Sequence, residues 1–152
     1  MGFKYKYRYS EEDTMNKYEG LMEIALESRE RAYAPYSHFK VGAALLSDNG
    51  IVYVGSNMEN ASYPAGHCAE RGAFATAISH GLRKFDAIAI AGGKEDAEKL
   101  ELCAPCGVCR QVMREFCDPE EFEVILGTSI TEYEVYKLAE LLPKSFGPDD
   151  LA

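Results

Sequence analysis

A chain of 152 residues, 47% hydrophobic and 27% charged, can bury one sizeable core without disulfide staples, and no apolar run approaches the ~20 residues that a membrane helix needs. Its formal charge of −9 repels polyanions and excludes the electrostatic footprint of a DNA- or RNA-binding surface. Five cysteines behind a start, "MGFKYKYRYS", that lacks an apolar leader are expected to be reduced, in a cytoplasmic protein, and their clustering points to metal or redox chemistry.

Residues 1–13 are expected to be a tail, with Lys4, Lys6 and Arg8 alternating with Tyr5, Tyr7 and Tyr9, and residues 14–152 a single domain. From Thr14 to about Ala34, apolar side chains recur at Tyr18, Leu21, Met22, Ala25 and Leu26, a helical spacing that "APYSHF" breaks at Pro35. "VGAALLS" (41–47) and "IVYVGS" (51–56) flank "DNG", which predicts an antiparallel hairpin. A loop over 57–66 follows, then a helix in "CAERGAFATAISHG" closed by Gly81. "FDAIAIAGG" reads as a buried strand, "CGVCRQVMREFC" as a helix, and "FEVILG" and "EYEVYKL" as two more strands. The closing "AELLPKSFGPDDLA" begins as a helical turn and is broken by Pro143. The order α β β α β α β β α makes the chain an α/β sandwich in which each cysteine motif opens a helix after a loop.

Cys106 and Cys109 are three residues apart, so in the first turn of a helix their sulfurs can share one ion. Helix N-termini carry partial positive charge, which favours the thiolate that a metal requires. With Cys68 opening another helix, three thiolates can converge and leave a fourth tetrahedral position for water, the arrangement of a catalytic zinc. Glu70 lies about 200° round an ideal helix from Cys68, so the two meet only if the helix points end-on at the metal. There the carboxylate can take a proton from a water at the open position and return it. Taken alone, Glu70 would be a first-turn carboxylate complementing the helix dipole. Cys103 leaves a rival open: Cys103, Cys106 and Cys109 with Cys68 could make a closed four-cysteine zinc site or hold an iron–sulfur cluster in a non-enzymatic module. Cys103 and Cys117 are more simply small buried hydrophobes, and His67 is a less suitable ligand than its neighbour Cys68.

The "CAER" at 68–71 and "PCGVCRQV" at 105–112 resemble the zinc-dependent nucleoside deaminases. With "AYAPYSHFKVGAALL", "GSNMENASYPAGHCAERGA" and "LLPKSFGPDDL", the likeness to the small, three-cysteine cytidine deaminases runs from the first helix almost to the C-terminus. It implies a three-layer sandwich with a mixed five-stranded sheet between helices, one Zn2+ per chain, and a homotetramer with shared active sites. The implied activity is hydrolytic deamination of cytidine and deoxycytidine in pyrimidine salvage. By resemblance, Cys68, Cys106 and Cys109 hold the zinc, and Glu70 carries protons to N3 of the base and to the leaving ammonia. The N–H of Ala69 meets the 2-carbonyl, the carbonyl of Ala104 meets the amine, Asn57 and Glu59 grip ribose hydroxyls, and Phe39 packs on the base. Tyr63 and Phe146 reach a neighbouring subunit's site. Arg71 resembles the family's arginine beside the thiolates, where a guanidinium draws off the excess charge of three thiolates on one Zn2+. A blasticidin-type or other aminopyrimidine deaminase is the alternative within the same chemistry. Two departures from the family pattern are His67, where an apolar or uncharged residue is expected, and Gly72, where Thr is frequent.

Overall fold

Asn16 starts the first helix of the computed structural model, which describes residues 16–152. Its side-chain oxygen accepts the Glu19 N–H at 2.9 Å and satisfies one of the helix's unpaired donors. The helix, α1 (Lys17–Arg29), stops at Arg29 rather than near Ala34. The reason lies in a distant segment: the Tyr33 N–H donates to the Asn57 carbonyl at 2.9 Å and the Tyr33 carbonyl accepts the Glu59 N–H at 2.9 Å. Pro35 further biases Ala34 away from helix. Residues 14 and 15 of the expected helix, and the tail 1–13, lie outside the described residues.

The hairpin forms as expected, β1 (Phe39–Ser47) pairing antiparallel with β2 (Val52–Ser56) around Gly50, whose φ of 81° suits a glycine. A 3-10 turn, Tyr63–Ala65, interrupts the expected loop before α2 (Ala69–Ser79), which Gly81 ends at φ 90°. Then come β3 (Phe85–Lys94), α3 (Gly107–Phe116), β4 (Glu123–Gly127), β5 (Tyr133–Lys137) and the short α4 (Leu138–Leu141) before Pro143. The sheet order is β2-β1-β3-β4-β5; β3 and β4 are parallel and the other pairs antiparallel. The sheet is therefore mixed and five-stranded, in an α/β architecture. Among the described residues no helix is long and apolar enough to cross a membrane.

Alternation along β3 assigns the two cores. Ala87, Ala89 and Ala91 face α1 and pack with Leu21, Met22 and Ala25, while Ile88 and Ile90 face α2 and α3 and pack with Phe74, Cys109 and Met113. Two glycines set how closely the helices approach. A Cβ at Gly42 would lie 2.1 Å from the Ala25 carbonyl oxygen, and one at Gly55 would lie 2.1 Å from that of Ala69 and 2.5 Å from the Ala73 nitrogen. Gly55 thus lets the first turn of α2 rest directly on β2, which places Cys68 and Glu70.

Candidate active site

Cys68 and Cys106 are the N-caps of α2 and α3, with extended backbones (ψ 157° and 166°) and no side-chain capping bond. Their sulfurs are left free and the two helix starts converge. The Cys68 and Cys106 sulfurs are 3.8 Å apart, those of Cys106 and Cys109 3.5 Å, and all three lie within 4.8 Å of one another. A tetrahedral zinc with bonds of about 2.3 Å has ligand–ligand edges of about 3.8 Å, so the trio fits that ion. Cys103 is outside the group: its sulfur sits against Gly92, and burial pushes its thiol up to about 11. A four-cysteine ligand set is not what the fold assembles. Cys117 is buried in the core, as expected of a small hydrophobe.

The charges around the trio complete its chemistry. A hydrogen bond from Cys109, with Arg71 and Cys106 beside it, holds the Cys68 thiol down to about 5 against its partial burial. Cys109 moves the other way, raised by its bond to Cys68 and by burial. Arg71 Nη2 donates to Cys68 Sγ at 3.9 Å, and its guanidinium also faces Cys109. The Arg71 Nε is buried without a hydrogen-bond partner among the described residues, a donor suited to a cluster richer in thiolate. Glu70 is 4% exposed, and burial raises its carboxyl above the usual range while it faces Cys109. Burial of this kind eases protonation of the carboxylate, which a group that takes and returns a proton requires.

Cys68, Cys106, Glu70 and Arg71, with Cys103 beside them, line a pocket of roughly 570 Å3. Ala69 and Ala104 line it beside Cys68 and Cys106, and Asn57, Glu59 and Tyr63 line its outer part. Asn57 and Glu59 have work of their own. Asn57 accepts the Val41 N–H and donates to the Phe39 carbonyl, both at 2.8 Å, which pins the start of β1. Glu59 accepts the Ser37 hydroxyl at 2.5 Å and the N–H groups of Ser37 and Tyr36 at 3.0 Å, bonds that hold its carboxyl below the usual range. Ser37 and Tyr36 therefore belong to the site, although nothing in their local sequence signals it. Phe39 is not in the pocket lining, and neither is Phe146, whose ring is 58% exposed. The segment around Phe146 is held on its own α3: Gln111 donates to the Phe146 carbonyl at 2.9 Å, and Arg114 donates to Ser145 Oγ at 3.0 Å and pairs with Asp149 at 3.7 Å.

Comparison with known proteins fits this geometry. Residues 15–125 match the family model described as the cytidine and deoxycytidylate deaminase zinc-binding region. The chain belongs to the cytidine deaminase family. A cytidine deaminase of Sporosarcina psychrophila is 42% identical over 134 residues, covering 88% of this chain and 94% of its own. One from Halalkalibacterium halodurans is 44% identical over 131 residues, covering 86% and 95%. The crystal structure of the cytidine deaminase from Burkholderia pseudomallei superposes with a TM-score of 0.76 at 45% identity, covering 86% of this chain and all of that one. Within this deaminase family the three-cysteine cluster fits one Zn2+ per chain.

Proposed function

We infer that this protein catalyses the hydrolytic deamination of cytidine and deoxycytidine to uridine and deoxyuridine, with Cys68, Cys106 and Cys109 holding one zinc ion. The observation that carries the reading is the gathering of three sulfurs within 4.8 Å beside a carboxyl that is 4% exposed, with Cys68, Cys106 and Glu70 lining a nucleoside-sized pocket. When bound there, zinc acts as a Lewis acid that makes water a nucleophile at neutral pH. Glu70 takes the proton from the attacking water, delivers it to N3 of the cytosine, and then passes a proton to the departing ammonia. Arg71, against Cys68 and Cys109, draws negative charge off the sulfurs. The N–H of Ala69, first residue of α2, has no intrahelical acceptor and is available to the 2-carbonyl; the Ala104 carbonyl receives the amine. Asn57 and Glu59 take the ribose hydroxyls with the hydrogen-bonding capacity their loop contacts leave.

The substrate is a free nucleoside. Among the described lining residues, Arg71 is committed to the sulfurs and Glu59 and Glu70 are acidic, so a 5′-phosphate meets no free cation. We further infer a cytoplasmic role in pyrimidine salvage, Phe39 as the ring that packs on the base, and a homotetramer in which Tyr63 and Phe146 reach a neighbour's site. The exposure of the last two, 79% and 58%, supports that reading. The test is Glu70→Gln, assayed for zinc content and loss of cytidine absorbance. Zinc near one per chain with turnover reduced about 10²–10⁴-fold is expected; substantial turnover would remove Glu70 from the mechanism.

A further inference from the structure

We propose that His67 is the positioning residue that orients Cys68 for zinc, and that Gly72 is the partner that makes room for it. The proposal rests on the three-cysteine reading above. Residue 67 joins the two halves of the site. Its backbone exchanges both hydrogen bonds with Met58, at 3.0 and 3.1 Å, which ties it to the loop carrying Asn57 and Glu59. Its ring lies along the first turn of α2, against Gly72: Nδ1–H donates to the Cys68 carbonyl at 3.0 Å. That oxygen also accepts the Gly72 N–H at 3.2 Å, the first bond of α2. Two donors on one carbonyl fix the peptide plane at Cys68, and with it the direction in which Cβ, the atom that carries Sγ, leaves the Cα. Arg71 Nη2 holds the sulfur itself at 3.9 Å, and the His67 bond adds a hold from the backbone side. A ligand oriented by its surroundings releases its metal more slowly. Both the Nδ1–H tautomer and the imidazolium donate to this oxygen, so the hold does not depend on the protonation of His67.

Gly72 explains how the ring fits. A Cβ there would stand 3.1 Å from His67 Cε1 and 3.6 Å from Nδ1, tighter than ordinary van der Waals contact at the first atom. A side chain at 72 therefore requires the imidazole to shift by a few tenths of an ångström, which loosens its bond to the carbonyl. The two positions at which the sequence departs from the pattern it resembles are in contact with each other, and each accounts for the other.

The test is the rate of zinc release to a colorimetric chelator from the full-length holoenzyme, from His67→Ala, His67→Asn and Gly72→Ala, and from the double variant that combines His67→Ala with Gly72→Ala, with thermal melting as a control for folding. Asn carries an amide nitrogen where His carries Nδ1 and keeps the donor. His67→Ala and Gly72→Ala are each expected to release zinc about three- to tenfold faster, His67→Asn within about twofold of the parent, and the double variant no faster than His67→Ala. The proposal is overturned by parental release rates in His67→Ala, by equally fast release in His67→Asn, or by independent multiplication of the effects in the double variant. If His67→Ala does not fold, His67→Asn and Gly72→Ala decide alone: rescue in the first with acceleration in the second supports the proposal, and any other pair of results overturns it. Zinc content of the parent, measured first, tests the three-cysteine reading itself; a zinc-bearing parent with unchanged release in the variants removes only the role of His67.

Discussion

At the scale of single residues, Cys103 separates an open metal site from a closed one. Three ligands and a water complete a tetrahedron, and the Cys103 sulfur is packed against Gly92 with its thiol held protonated by burial. Cys103→Ser should leave zinc at about one per chain by metal analysis, whereas Cys106→Ser should strip it; loss of zinc from the first variant would contradict the open site. The metal trio and Glu70 were legible in sequence because spacing in a helix start dictates direction: Cys106 and Cys109 must face one way, and Glu70 can reach them only end-on. What was not legible is how Asn57 and Glu59 are used. Their bonds run to Val41, Phe39, Tyr36 and Ser37, partners about twenty residues away whose approach no local pattern encodes. The contact between His67 and Gly72 escaped for the same reason: it needs the ring direction, which sequence does not carry.

At the scale of elements, the site depends on how α2 lies on β2. Because a Cβ at Gly55 would meet backbone atoms at 2.1 and 2.5 Å, Gly55→Ala must displace the turn that carries Cys68 and Glu70. A loss of about 1–3 kcal/mol in denaturant unfolding, together with faster zinc release, is expected. Gly50→Ala, in open space at φ 81°, should lose stability through backbone strain alone and keep its zinc. The other helix layer is tied down by Glu123 on β4, which accepts from Lys17 at 2.8 Å and Tyr18 at 2.6 Å. Burial pushes the Glu123 carboxyl up, but these partners outweigh it and hold the carboxyl below the usual range, while its bond raises Tyr18 to about 12. A carboxyl depressed in the folded state stabilises fully above its unfolded pKa, and the contribution is lost as pH falls through the folded value. Glu123→Gln should therefore cost about 1 kcal/mol at pH 7, discounted for the exposure of Lys17, and the gap in melting temperature should close below about pH 4. A gap independent of pH would assign the effect to packing. Strand alternation and the "DNG" turn made the hairpin readable, whereas the end of α1 was not, because Tyr33 bonds to Asn57 and Glu59 in a distant loop. The parallel pairing of β3 with β4 and the strand order are likewise long-range and were not legible in the sequence; family likeness implied only that the sheet is mixed and five-stranded.

At the scale of the whole molecule, the C-terminal segment links fold and function. Gln111 and Arg114 hold its backbone and polar groups on α3 and leave the Phe146 ring outward. In the proposed homotetramer this exposed aromatic is the one that reaches a second chain. If sites are shared as proposed, truncation after Leu142 should keep zinc, lower the mass in solution, and raise KM for cytidine by about tenfold or more. A fully active truncated monomer would refute shared sites. The central claim, zinc-dependent hydrolysis of cytidine, is tested most directly by following cytidine absorbance with the purified full-length protein before chelation, after zinc removal, and after zinc is restored. Uridine and ammonia in equal amounts, lost on chelation and regained at one zinc per chain, are predicted; a zinc-loaded, folded protein that leaves cytidine unchanged would contradict the account.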